Sequence, residues 1–161
     1  MERGTVSIFY GEGKGKTAAA IGSAIHAAIQ GKTVILIQFL KGRTFEQSAF
    51  VQSLEPNIKW FSFEKEDVCY DELTEEKKQE AVINMQNGLK FSKKVLTTKE
   101  ADLLILDEVL GLVEQGLVSV EEIMDLFDSR WESTDLILTG RRADERLLAA
   151  ADHVSRIEKV K

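Results

Sequence analysis

Residues 5–17 read TVSIFYGEGKGKT, and how this stretch folds decides the architecture. Thr5 to Tyr10 is rich in β-branched and aromatic residues and runs straight into Gly11, Gly13 and Gly15, so the spacing predicts a strand that stops at a glycine loop. From Thr17 to Gln30 the chain reads TAAAIGSAIHAAIQ, with apolar residues at Ile21, Ala24, Ile25, Ala28 and Ile29. That is a helical interval, and Gly31 supplies the C-terminal cap. Lys32 to Leu40 (KTVILIQFL) follows as a nearly continuous apolar run, the pattern of a parallel strand covered on both faces. The first forty residues therefore form one βαβ unit with a glycine loop at its first turn.

The same reading extends outward. Further strands are expected at Ile58–Phe63, Asp102–Leu106 and Asp135–Thr139, with a weak terminal strand at Val154–Val160. Helices are expected over Arg43–Leu54, from an N-cap at Thr74 to about Leu96, from Ser119 to Asp128 and from Asp144 to Ala151. Ser119 and Glu122 have the spacing of a capping box. Alternating strands and helices joined by right-handed crossovers predict an α/β domain with a mostly parallel sheet and helices on both faces. At 161 residues with 43% hydrophobic content the chain is expected to form a single domain over 1–161. A net charge of -6 provides no global field for nucleic acid or anionic lipid. The lone cysteine, Cys69, excludes an internal disulfide and a multi-cysteine metal site, and a cytoplasmic location follows most simply. MERGTVSIFYGEG has no apolar stretch of signal-peptide length, and no run approaches the ~20 apolar residues of a membrane span.

Chemistry concentrates at three strand ends. GEGKGKT, Gly11 to Thr17, lies between a predicted strand and a predicted helix, where converging backbone amides and the helix N-terminus hold a phosphate. Lys16 would reach phosphate oxygens, and the Thr17 hydroxyl would hold magnesium. The fold this implies is P-loop NTPase-like, of the RecA-like kind. The ordinary loop is G-x-x-x-x-G-K-[ST]; here Tyr10 stands where the first glycine belongs, so the loop is shortened and a nucleotide need not lie in it in the usual way. Asp107 and Glu108 close an apolar strand and match a Walker-B element, although paired acids at a strand end can also be plain solvated loop residues. Arg141, after Gly140, leaves another strand at the same edge; it could clamp a phosphate tail or simply make a surface ion pair, and Arg142 is a weaker candidate.

Taken in order, GEGKGKT, QFLKG (Gln38–Gly42), LDE (Leu106–Glu108), LTGR (Leu138–Arg141) and AADHVSRIEKVK at the C-terminus resemble the ATP:corrinoid adenosyltransferases of the CobA/BtuR/CobO type. The resemblance covers nearly the whole chain and is poorest from Arg43 to Leu73. It accounts for the short loop, whose G-x-G-K-G-K-T form is that family's. It implies that Co(I) of a corrinoid co-substrate attacks the 5′ carbon of ATP and releases triphosphate, with ATP bound in the reverse sense, its terminal phosphate deep in the loop. Carried over by position, the ATP-binding residues are Gly11, Glu12, Gly13, Lys14, Gly15, Lys16, Thr17 and Ala18, the catalytic residues are Lys16 and Arg141, and Thr17, Asp107 and Glu108 hold Mg2+. Tyr70 and Trp60 are the corrinoid-facing candidates; Trp60, Phe61 and Phe63 read equally well as strand core. Cys69 reads first as a loop cysteine, and His26 and His153 as structural. The resemblance further implies a homodimer fed by a flavodoxin-like or flavin reductase, while the charge balance and the lack of a long apolar run lead to the expectation of neither nucleic acid nor membrane as partner. Members often carry an N-terminal segment over the site and a C-terminal tail, so such cover is expected to be missing or to come from a partner subunit. The family's glycine-glutamate pair after FLKG is replaced by Phe45 and Glu46, so any role of that glycine does not transfer. The competing readings are an ATPase or kinase that cleaves at the γ-phosphate and a non-catalytic nucleotide- or corrinoid-binding homologue.

Overall fold

The computed structural model describes residues 2–39, 49–63 and 70–161. The opening unit is as expected: β1 (Val6–Tyr10), a loop, α1 (Lys16–Ile29) and β2 (Val34–Gln38). Gly15 precedes α1 with a φ of 113°, a left-handed conformation that suits a residue without Cβ. The chain continues through α2 (Ala49–Ser53), β3 (Ile58–Ser62), a 3-10 turn (Tyr70–Glu72), α3 (Glu75–Thr98), β4 (Leu103–Asp107) and α4 (Val109–Glu114). It ends with α5 (Val120–Ser129), β5 (Asp135–Gly140), α6 (Glu145–Ala150) and β6 (His153–Arg156). Of the helix expected at Arg43–Leu54, the part from Ala49 to Ser53 is helical and 43–48 lies outside the described residues.

The helix starts follow local chemistry. Thr74 accepts a hydrogen bond from the Lys77 amide at the head of α3, and Ser119 and Glu122 close the capping box at the head of α5. α4 was not expected. Its sequence, VLGLVE, resumes the apolar run of β4 after Asp107 and Glu108, and its N-cap, Glu108, makes no side-chain capping bond, so neither periodicity nor capping chemistry marks a helix start there. The break is made instead by Glu108, which adopts φ 64°.

Six parallel strands form one sheet in the order β3-β2-β4-β5-β1-β6. β5 thus separates the strand that feeds the glycine loop from the strand that ends at the two acids, and the fold is the expected α/β arrangement of a parallel sheet with helices on both faces. Alternation along each strand sorts side chains between two cores. One holds Val6, Ile8, Leu104, Leu106, Leu136 and Leu138 with residues of α3 to α6; the other holds Leu36, Trp60, Ile105 and Ile137 against Ala20, Ala24 and Ala27 of α1 and Val51 of α2. The small alanines let α1 lie close to the sheet, which sets its N-terminus directly over the strand ends.

Candidate active site

The glycine loop is held from below by the sheet and from the side by the C-terminal segment. The Gly11 amide donates to the carbonyls of Gly140 and Arg141, at 3.2 and 3.1 Å. Beyond β6, the Ile157 amide donates to the Tyr10 carbonyl at 2.7 Å, and the Gly13 amide donates to the Ile157 carbonyl at 3.0 Å. Any Cβ on Gly11 would overlap the Ile157 carbonyl oxygen, and one on Gly13 would lie 2.9 Å from Ile157 Cγ2 and from the Glu158 carbonyl carbon. The two glycines are therefore required by close backbone approach, and the segment that follows β6 supports the loop. Two of the loop's amides are spent on this anchoring, so the first turn of α1 is left to meet an anion. Lys16 is buried at 9% exposure because its ammonium turns back onto the Gly13 carbonyl, at 3.0 Å. Glu12, Lys14, Gly15 and Ala18 are exposed.

Above the loop's exit, the last side chains that β2, β4 and β5 direct toward α1 are all polar. Gln38, Asp107 and Thr139 are each buried to 1% exposure or less, whereas the positions before them on that face, Leu36, Ile105 and Ile137, are apolar. Thr17, in the first turn of α1, donates its hydroxyl to Asp107, 3.1 Å from Oδ1 and 3.2 Å from Oδ2. Gln38 Nε2 donates to Asp107 Oδ2 at 3.2 Å, and the Thr139 hydroxyl donates to Oδ1 at 2.6 Å. The same Thr139 oxygen accepts the Glu108 amide at 2.8 Å. A hydroxyl that gives its proton to a carboxylate keeps its lone pairs for a cation, so Asp107 orients Thr17 as an oxygen ligand. Half-buried Glu108 stands at the mouth of the same strand end. Sequence reasoning missed Gln38 and Thr139 as site residues. Their signal was a single polar residue closing an otherwise apolar strand.

The other sequence candidates disperse. Arg141 is 58% exposed and stands 3.9 Å from Glu114, which also meets Arg142 at 3.9 Å. It lines a cavity of about 360 Å3 together with Tyr10, Gly11, Glu12, Arg156 and Ile157, beside the loop. Tyr70 is half-buried against α3, with Lys78 Nζ 5.5 Å from its ring centre. Trp60, read from sequence as either corrinoid-facing or core, lies on the strand face turned toward α1 and α2, where it is 8% exposed. Phe61 and Phe63 point the other way or lie half-buried with Phe91, at 5.0 and 6.0 Å between ring centres, and Phe63 also stacks on Phe39 at 6.4 Å. Cys69, Leu40–Gly42, Phe45 and Glu46 lie outside the described residues. His26 is exposed on α1, 3.4 Å from Gln30, and His153 is exposed on β6.

The order of these parts along the chain is matched by a family described as ATP:corrinoid adenosyltransferase BtuR/CobO/CobP, over residues 2–161. The chain belongs to that family. The corrinoid adenosyltransferase of Escherichia coli (strain K12) is 31% identical over 160 residues, covering 99% of this chain and 79% of that protein. The corrinoid adenosyltransferase CobA of Salmonella typhimurium (strain LT2) is 32% identical over 161 residues, with the same two shares. Among solved structures, a DNA replication initiation factor overlays with a TM-score of 0.45 at 18% identity, covering 97% of this chain and 40% of that one. As a corrinoid adenosyltransferase family member the chain is a transferase whose substrates are ATP and a corrinoid.

For a divalent cation Thr17, Asp107 and Glu108 could offer a hydroxyl and two carboxylates, all hard oxygens. Among the described residues no group of three or more His, Cys, Asp or Glu could hold a metal by itself. That combination fits Mg2+, which binds through one or two carboxylates plus substrate phosphates and does not need an all-protein cage.

Proposed function

We propose that the chain transfers the 5′-deoxyadenosyl group of ATP to Co(I) of a corrinoid, with the triphosphate held at residues 11–18. The observation that carries this reading is the Thr17–Asp107 contact, which joins the head of α1 to the acidic strand end at the point where a metal–triphosphate would sit. In the reaction the Co(I) lone pair forms the cobalt–carbon bond as the C5′–O5′ bond breaks. The triphosphate leaves with that electron pair, and cobalt is formally oxidised to Co(III). Because the attack is at C5′, that carbon must face the corrinoid, and the family resemblance implies that the terminal phosphate lies deepest in the loop. The protein's part is to hold and neutralise that leaving group in a fixed orientation; no protein nucleophile or general base is needed.

Lys16 places its ammonium inside the loop, and the α1 amides supply the remaining donors. Thr17, Asp107 and Glu108 would hold Mg2+, which when bound supplies charge neutralisation on the phosphates. Arg141 assists from the cavity beside the loop, a role its release from Glu114 would allow at this long separation. Tyr70 is the corrinoid-facing candidate. Its support is its place in the family pattern. Homodimerisation, electron supply by a flavodoxin-like or flavin reductase, and a cytoplasmic setting belong to the same reading. Among the described residues no helix is long and apolar enough to cross a membrane.

The test is incubation of the protein with MgATP and chemically reduced cobalamin. The expected products are adenosylcobalamin and intact triphosphate, and Lys16→Ala is expected to abolish both while the far-UV circular dichroism stays native. γ-Phosphate release without corrinoid would instead establish an ATPase or kinase, and binding without turnover a non-catalytic homologue. Undiminished activity in K16A would remove the loop from the mechanism.

A further inference from the structure

Thr139 has no role in the reading above, yet its side chain joins the two consecutive acids at the end of β4. Its hydroxyl donates to Asp107 Oδ1 at 2.6 Å and accepts the Glu108 amide at 2.8 Å, and the residue is fully buried on β5. The geometry is demanding at both ends. Asp107 carries a carboxylate at zero exposure, which must be tied by donors to be tolerated there. Glu108 adopts φ 64°, an uncommon conformation for a residue with a Cβ. A hydroxyl has one proton to give and lone pairs to accept with, so threonine can satisfy both partners at once. Valine, nearly its equal in shape, can satisfy neither.

We propose that Thr139 is a positioning residue for the metal–triphosphate site: it fixes the Asp107 carboxylate against Thr17 and holds the turn at Glu108 that presents the second carboxylate. β5, interposed between the loop strand and the acid strand, thereby sets the distance between the two halves of the site. This rests on the reading that the triphosphate and Mg2+ bind at residues 11–18 and 107–108. Second partners that orient metal ligands typically change metal affinity by about tenfold to a hundredfold when removed.

The test is calorimetric titration of ATP into the protein, once with Mg2+ and once with excess chelator, so that the gain in affinity due to the metal is read apart from turnover. Native protein is expected to bind more tightly with Mg2+. Thr139→Val is expected to lose about tenfold to a hundredfold of that gain, to keep the metal-free affinity, and to remain folded; Thr139→Ser, which retains the hydroxyl, restores the gain. Should T139V fail to fold by circular dichroism, Thr139→Cys, which offers only a weak donor, carries the same comparison. A full metal-dependent gain in T139V overturns the inference, as does an equal loss in T139V and T139S with and without metal, which marks a purely structural residue. Native protein that binds ATP with no gain from Mg2+ also overturns it, while native protein that binds no ATP at all refutes the proposed function itself.

Discussion

Gly11 is the residue on which the loop's shape turns. Its φ of 128° lies in the left-handed region, and its missing Cβ is the space occupied by the Ile157 carbonyl. Gly11→Ala therefore combines backbone strain with a backbone clash that no side-chain rotation relieves. We expect G11A to lose about 1–3 kcal/mol of stability in urea unfolding and to bind ATP at least tenfold more weakly, because the amides that meet the phosphates move with the loop. A variant with native stability and affinity would show that the C-terminal segment does not support the loop. The glycines themselves were legible in the sequence as a loop, but their reason was not. Ile157 is 146 positions away from Gly11, and no local pattern announces such a contact. Lys16 shows the same limit: it reads as a side chain that reaches for phosphate, and nothing in the sequence announces that the loop's own carbonyl draws it in.

At the scale of elements, the boundaries that carry explicit chemistry were the readable ones. Ser119 and Glu122 give two reciprocal hydrogen bonds to exposed amides, from the Glu122 amide to Ser119 Oγ at 3.1 Å and from the Ser119 amide to Glu122 Oε2 at 2.8 Å. Ser119→Ala is expected to destabilise the protein by about 1 kcal/mol in denaturant titration while leaving ATP affinity unchanged, since α5 packs on α3 and α6 and not on the loop. A change in affinity would mean that the two faces of the sheet are coupled. α4 escaped notice because Val109 to Val113 resumes the apolar run of β4 after only two acids, and Glu108 caps the helix through its left-handed backbone and not through a side-chain bond. β6 is exposed along all four residues, so alternation gave it little signal, although its pairing with β1 is what delivers Ile157 to the loop. Trp60 was ambiguous for a related reason: a tryptophan on a short strand looks the same from sequence whether it faces a ligand or two helices.

Across the whole molecule, the site is an outcome of strand order. The loop follows β1, Gln38 ends β2, Asp107 ends β4, and Thr139 lies one residue before the end of β5, so every crossover from β1 to β5 must be right before all of these residues meet. The alternation of strands and helices made the parallel sheet legible, and parallel strands place all their carboxyl ends at one edge. The identity of the neighbours was not legible, because nearly continuous apolar strands such as LLIL and LILT carry no code for which partner lies alongside. That is why Asp107 and Thr17 could be named from sequence while the threonine and glutamine that tie them could not. The corrinoid side remains with Tyr70, set at the head of α3 away from the strand-end cluster in sequence and tied to it by the proposed reaction alone.

The claim on which all of this depends is the sense in which the nucleotide lies. A crystal structure of the protein with MgATP measures it directly. The account predicts the terminal phosphoryl group innermost, against the amides at the start of α1 and Lys16, with C5′ directed outward to the open cavity. Adenosine seated toward the loop with the terminal phosphoryl group directed outward would contradict it.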